Sequence, residues 1–196
     1  MKYIKMLALA AVTAIAVPAL AATASATTIT SEGSAYTGSI HAVNEGGVVL
    51  HGPIDITCNN STVAGSVEQH GSSTTASGKI STWVFNECNS GNDVEVQKAG
   101  EVIVHTQGES SNGNGTVTVS GSEVKVRVTS LAIDCVYGTE NTDLGTLTGS
   151  ATTGSTATLD ADTSAVPRTG GSIFCGSSGE LTAAYNVTTP ANLNVD

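Results

Sequence analysis

Basic residues are scarce in this chain, which has seven lysines and arginines against seventeen acidic residues. Two of the seven, Lys2 and Lys5, lie in an N-terminal segment that we expect to be removed. The remaining chain then has five basic residues and a formal net charge of −12. Such a surface repels nucleic acid and anionic lipid, so we expect neither as a partner.

Aromatic residues and the usual helix formers are also rare. Aromatics make up 4% of the chain, with one tryptophan. A sugar-binding site usually presents several flat aromatic side chains, whereas Trp83 lies in an apolar run, residues 79–85, and is expected to pack in the core. Threonine and valine are abundant and favour strands. No stretch after residue 26 repeats apolar residues with the helical period, so the sequence predicts an all-β protein.

Long apolar segments are absent except at the N-terminus. A basic start, residues 1–5, precedes an apolar run at residues 6–17 and small residues that end in Ala24-Ser25-Ala26. This is the pattern of a bacterial secretory signal peptide, cleaved after Ala26. The apolar run is too short to span a bilayer. We therefore predict a secreted, extracellular protein with a single domain at residues 27–196.

The strongest strand pattern lies at residues 115–137. Apolar residues alternate there with the period of a half-buried strand, first at Val117 and Val119, then at Val124, Val126 and Val128. Ser120-Gly121 interrupts the run, which predicts a tight hairpin turn. The phase then changes, so that Leu131, Ile133 and Cys135 are expected to point inward. This change indicates a β-bulge or a strand that changes sheets.

About a dozen short strands separated by turn signals are predicted along the chain. Turns are expected at residues 44–47, 59–61 and 89–92, loops at residues 69–78 and 107–115, and a coil around Pro167 and Gly170-Gly171. This spacing is typical of an antiparallel sandwich or a barrel. Because the strands vary in length and slip in phase, we favour the β-sandwich.

Four cysteines in a secreted chain predict two disulfides, with three possible connectivities. We favour Cys58 with Cys88 and Cys135 with Cys175, because each pair begins at the end of one strand and closes at or just past the end of another. Loops of these lengths predict roughly 3.5–4 kcal/mol of stabilisation per bridge. That is a large fraction of a marginal stability for a core with few aromatics. The candidate core aromatics are Tyr36, Trp83, Phe85, Tyr137, Phe174 and Tyr185.

No residue spacing in the chain points to catalysis or to a cofactor. The cysteines form no C-x-x-C pair and have no nearby histidine, which argues against zinc. The histidines, which we expect at the surface or hydrogen-bonded, are His41, His51, His70 and His105. No G-x-S-x-G elbow accompanies them. Residues 160–164 and 87–93 carry oxygen ligands of the kind that Ca²⁺ takes, but neither matches a known calcium loop. We predict no catalytic, cofactor-binding or metal site.

A group of short motifs resembles a known family. The motifs are Thr57-Cys58, residues 63–67 (VAGSV), residues 85–88 (FNEC), Asp134-Cys135, Cys175, and the ending Tyr185-Asn186-Val187 with Pro190, Leu193 and Val195. Their order is similar to that of secreted bacterial proteins of the alkane-oxidation-activator (PraB-like) type, over about residues 50–195. A Pro-Trp pair expected after the second cysteine is absent, and residues 99–102 (AGEV) stand there. The resemblance implies an extracellular, non-enzymatic protein associated with growth on hydrophobic carbon sources or with the cell surface.

Three functional hypotheses follow. The first is a secreted protein that acts by binding or by surface association, with apolar small molecules or extracellular matrix as partners. The second is a fibre or pilus-like subunit that self-associates, in which the arm at residues 27–38 adds a strand to a neighbour's open edge. The third is a secreted hydrolase.

Overall fold

The computed structural model describes residues 27–70, 75–106, 113–150 and 155–196. The predicted signal peptide lies outside the described residues, as does part of each loop predicted at residues 69–78 and 107–115. The described chain is all-β, with fourteen strands, three short 3₁₀ helices and no α-helix. The prediction of an all-β protein is therefore confirmed. None of the helices in this part of the chain is long and apolar enough to cross a membrane.

The strands of the first half are β1 (Ile29–Ser31), β2 (Ser34–Ala35), β3 (Ser39–His51), β4 (Ile56–His70), β5 (Thr75–Cys88), β6 (Asp93–Lys98) and β7 (Glu101–Thr106). Those of the second half are β8 (Gly115–Ser120), β9 (Glu123–Val128), β10 (Ile133–Gly138), β11 (Thr142–Thr148), β12 (Thr158–Gly171), β13 (Ser178–Thr189) and β14 (Leu193–Val195). The 3₁₀ helices are η1 (Asn89–Gly91), η2 (Thr129–Leu131) and η3 (Ile173–Cys175).

Eight strands close into an antiparallel barrel. Their order is β11-β8-β7-β5-β4-β3-β13-β12, and β12 pairs back onto β11 to complete the ring. Register shifts interrupt β3, β4 and β12, and bulges of this kind bend strands and increase their twist. The structure therefore has a closed barrel instead of the β-sandwich that we favoured from the sequence. The bent strands curl far enough for β12 to meet β11.

Two smaller sheets are attached to the barrel. Strand β12 continues beyond it, and its last residues pair with β10, which pairs with β9, which pairs with β6. We call the strands β12-β10-β9-β6 the side sheet. The end sheet is β14-β1-β2, in which Ile29 lies opposite Val195. The arm at residues 27–38, which the fibre hypothesis offers to a neighbouring subunit, is thus paired within its own chain.

The hairpin predicted at Ser120-Gly121 is wrong. Strand β8 pairs with β7 and β11, whereas β9 pairs with β6 and β10, so the chain crosses here from the barrel to the side sheet. Both edges of β8 are occupied by barrel strands, which leaves no place for β9. Gly121 adopts a φ of +72° and donates its N–H to the Thr139 carbonyl, which fixes the crossing.

The predicted inward position of Leu131 is also wrong. Leu131 lies on η2, where its side chain is 50% exposed. The chain reverses there through Ala132 in the left-handed conformation, and Val128 pairs with Ile133. The phase change is therefore a tight turn between β9 and β10. Ile133 is half-buried and Cys135 is buried, as expected.

Several segments predicted as turns, coil or loop lie inside strands, including residues 69–70 of β4 and residues 75–78 of β5. Residues 44–47 form a bulge in β3, residues 59–61 belong to β4, and Pro167 lies in β12 opposite Ser178. At the bulge, the Asn44 side chain donates to the Asn59 carbonyl at 2.8 Å and accepts from the Ser61 N–H at 2.8 Å. The amide side chain replaces ladder hydrogen bonds that the bulge interrupts, so polar residues sustain the strand instead of ending it.

Valine and a few aromatics form the core. Trp83, Phe85, Tyr137 and Tyr185 are buried, as predicted. Phe174, which the sequence placed in the core, is 72% exposed on η3 because only Cys175 of that short helix points inward.

Candidate functional site

The four cysteines form the two predicted disulfides. Cys58 and Cys88 lie directly opposite each other on β4 and β5. Cys135 of β10 is joined to Cys175, at the end of η3. Three of the four are fully buried. The pairing that the sequence favoured is therefore confirmed, and these cysteines cross-link strands.

Two of the histidines have polar side-chain partners in the described structure. His51 Nδ1 lies 2.9 Å from Asp55 Oδ1, and His41 Nδ1 lies 2.9 Å from Thr188 Oγ1, all on exposed side chains. One histidine therefore has a carboxylate and the other a hydroxyl, whereas a triad needs both on one ring. No group of three or more His, Cys, Asp or Glu in this part of the chain could hold a metal ion. Asp160 and Asp162 lie exposed along β12.

An apolar cavity of about 140 Å³ lies inside the barrel. We call it the barrel cavity. Its wall includes inward-facing residues of β3, β4, β7, β8, β11 and β13, namely Ile40, Val63, Val102, Val117, Leu147 and Val187. Ile29 of β1 and Leu193 of β14 also line it. The end sheet therefore contributes to the wall of this cavity.

The cavity follows from the residue types on the inner face. An eight-stranded barrel has an interior that side chains can just fill or that can hold one small ligand. Here valine and alanine occupy many inward positions, as in β13, where Ala183 stands between Leu181 and Tyr185. Such short side chains leave space that leucine or phenylalanine would fill.

A second apolar cavity, of about 70 Å³, lies between the barrel and the side sheet. We call it the interlayer cavity. The side sheet contributes Val124, Val126, Val128 and Tyr137 to its wall, and the barrel contributes residues that include Ile56 and Leu181. Four of the alternating valines, Val119, Val124, Val126 and Val128, thus face a cavity shared between the barrel and the side sheet.

Trp83 and Leu144 border both cavities. Trp83 Nε1 donates to Tyr185 Oη at 3.2 Å, and Tyr185 Oη lies 2.9 Å from Ser61 Oγ. Burial raises the pKa of the Tyr185 phenol, and the hydrogen bonds to Ser61 and Trp83 oppose that rise. The polar atoms of these buried side chains therefore satisfy one another, and the cavities are left with apolar walls.

The arrangement suits hydrocarbon better than polar ligands. The barrel cavity is close in size to an engineered apolar cavity of roughly 150 Å³ that stays dry and binds benzene or xenon. A ligand without polar groups loses no hydrogen bonds on entering such a space, whereas a polar ligand would leave groups unpaired. The geometry can therefore hold and shield a small apolar molecule.

Comparison with family models, curated proteins and solved structures returned no match. The site is thus defined by its own geometry. Sequence reasoning placed Trp83 and Tyr185 in the core but did not bring them together, because 102 positions separate them. The only signal in the sequence was that each of the two residues alternates with the other inward-facing residues of its own strand.

Proposed function

We propose that this protein is an exported, non-enzymatic binding protein that holds a small apolar molecule in its barrel cavity. The observation that supports the proposal is the apolar wall of that cavity, combined with a volume of about 140 Å³. Single-ring aromatics and short alkanes are the ligands of matching size and chemistry.

The expected affinity is modest. Burial of apolar surface contributes about 25 cal/mol per Å², and a ligand with six to eight carbon atoms offers little area. If each non-hydrogen atom gains about 0.7 kcal/mol, half of the ceiling of about 1.5 kcal/mol for very small ligands, six to eight carbon atoms give dissociation constants of about 0.1–1 mM. Such a protein would exchange its ligand readily.

The proposed compartment and the family resemblance agree with this function. Two disulfides suit an oxidising environment outside the cytoplasm, which is where the signal peptide at residues 1–26 would direct the chain. The PraB-like resemblance links the protein to growth on hydrophobic carbon sources. An exported carrier of small hydrocarbons is consistent with both.

The test is ligand-induced stabilisation of residues 27–196. Benzene, n-hexane and xenon are each applied near saturation, and thermal unfolding is measured; we expect each to raise the midpoint. Val104→Phe fills the barrel cavity and should abolish the rise, whereas Val136→Phe, on a strand outside the barrel, should retain it. An unchanged midpoint with all three probes would contradict the proposal.

A second candidate function is attachment to an apolar surface, and one observation favours it. The large hydrophobic side chains exposed in the described residues are Leu131, Ile173 and Phe174, on η2 and η3. Both helices adjoin β10: η2 precedes it directly, and Ser172, just before η3, donates its N–H to the Asp134 carbonyl at 2.9 Å. The high negative charge disfavours anionic lipid, so the partner proposed is a hydrocarbon–water interface. Replacing Ile173 and Phe174 with serine should reduce adsorption to hexadecane droplets.

A further inference from the structure

The two cavities lie one after the other along the same strands. On β8, Val117 lines the barrel cavity and Val119 the interlayer cavity. On β12, Leu159 lines the barrel cavity and Thr163 the interlayer cavity. Successive inward residues of a strand lie about 7 Å apart. Because neighbouring inward residues line first one cavity and then the other, the two cavities are stacked chambers.

Trp83 stands at the boundary between the chambers. On β5, Ile80 lines only the barrel cavity, Phe85 lines only the interlayer cavity, and Trp83 lines both. Leu144 occupies the corresponding boundary position on β11. The indole is the largest of the side chains that line the two cavities, and it stands where the two linings meet.

The indole is held in place by contacts on two sides. Its Nε1 donates to Tyr185 Oη, and its ring lies 5.4 Å from the Phe85 ring, centroid to centroid, at a tilt of 33°. The side chain is 7% exposed. A buried, hydrogen-bonded indole does not swing aside at low cost, because its N–H would lose its partner.

We propose that Trp83 is the specificity-determining residue that limits the length of the apolar ligand. The inference rests on the proposed function and deepens it: the indole closes the barrel cavity to chains longer than a single ring with a short substituent. Removing the indole would join the two chambers into one apolar column that accepts a longer hydrocarbon.

The test uses benzene, ethylbenzene, butylbenzene and hexylbenzene with the protein at residues 27–196. Calorimetry should show the native protein binding the two short ligands at least tenfold more tightly than hexylbenzene. Trp83→Leu should bind hexylbenzene at least tenfold more tightly than the native protein does. Val126→Ala is the matched control, since Val126 lines only the interlayer cavity, and the variant should keep the native length limit.

Each outcome decides one of the two proposals. Failure of the native protein to bind any of the four ligands overturns the proposed function. Binding of the short ligands with an unchanged length limit in folded Trp83→Leu overturns the role of Trp83, as does equal binding of all four by the native protein. If Trp83→Leu does not fold, Trp83→Phe carries the test, and an intermediate gain in hexylbenzene affinity supports the role while no gain overturns it.

Discussion

The barrel and the side sheet are held together in different ways. The barrel closes through β11 and β12, so each of its strands has hydrogen-bonded neighbours on both edges. The side sheet ends at β6, which pairs in the described structure with β9 alone. It is joined to the barrel by the continuous strand β12 and is stapled by the Cys135–Cys175 disulfide. Each region has one disulfide, but the barrel is a closed ring whereas the side sheet has an open edge at β6.

Charge is distributed unevenly between the two regions. Four of the five basic residues beyond residue 26 lie on side-sheet strands, namely Lys98, Lys125, Arg127 and Arg168. Arg127 stands opposite Asp93 on one neighbouring strand and Asp134 on the other. Opposite charges in facing positions favour this register. Ion pairs on the outer face thus help to stabilise the side sheet, whereas the barrel is stabilised by the closure of its ring and by its apolar interior.

Opening the barrel should have the largest effect. Gly145 of β11 has a φ of +143°, and an added Cβ would lie 1.9 Å from the Asp160 carbonyl oxygen on β12. Gly145→Val forces apart the two strands that close the ring, and we expect a loss of about 5 kcal/mol in the free energy of unfolding. Gly121→Ala, also at positive φ but with nothing within 4 Å, should lose only about 1–2 kcal/mol. Urea unfolding measures both, and equal losses would argue against closure as the main source of stability.

Removing either disulfide should be the next largest effect. Each closes a loop of 30 or 40 residues, so Cys58→Ala/Cys88→Ala and Cys135→Ala/Cys175→Ala should each lose about 3.5–4 kcal/mol. The two double variants should differ in where protection is lost. Hydrogen exchange should speed up across β9 and β10 in the second variant, while β4 and β5 stay protected in the first by their strand ladder. The same exchange pattern in both variants would remove the distinction between the regions.

Deleting single hydroxyl groups compares the two regions on a smaller scale. Tyr185→Phe leaves Trp83 Nε1 and Ser61 Oγ without their shared partner inside the barrel, and we expect a loss of about 2–3 kcal/mol. Tyr137→Phe, in the side sheet, removes one hydrogen bond to the Cys175 carbonyl and should cost about 1 kcal/mol. Thermal unfolding of the two variants measures which one loses more stability. A larger loss in Tyr137→Phe than in Tyr185→Phe would contradict the prediction.

The smallest effect concerns the ion pairs of the side sheet. The Lys125 side chain, followed by Arg127, holds the pKa of Asp134 below its ordinary value of 3.8. The carboxylate therefore contributes stability above about pH 4, and that contribution is lost as the pH falls through the lowered pKa. Asp134→Asn should be slightly less stable than the native protein at pH 7, with a difference that shrinks on acidification and in high salt. Asp162→Asn, on a barrel strand, is the control, and a difference that persists below pH 2 would contradict the assignment.

The sequence predicted those features that depend on local pattern. Alternating valines predicted the strands β8 and β9, and the positions of the cysteines relative to strand ends predicted both disulfides. Polar segments misled the prediction, because the Asn44 side chain sustains a bulge that resembles a turn in sequence. Phe174 and Leu131 are apolar but lie on 3₁₀ turns at the surface.

The pairing of strands that are distant in the chain could not be predicted from the sequence. Closure of the ring depends on β11 meeting β12, and the crossing at Ser120-Gly121 depends on both edges of β8 being occupied. Neither condition is visible in a local pattern. The candidate site was hidden for the same reason, since Trp83, Leu144 and Tyr185 come from distant parts of the chain and meet only in the finished barrel.

The place of Trp83 has a practical consequence. It is the single tryptophan of the chain and borders both cavities, so its emission reports on one location in the molecule. An occupant of either chamber would change the polarity and quenching around that indole. The protein therefore carries its own fluorescent sensor, and a titration followed at the wavelength of tryptophan emission needs no added dye.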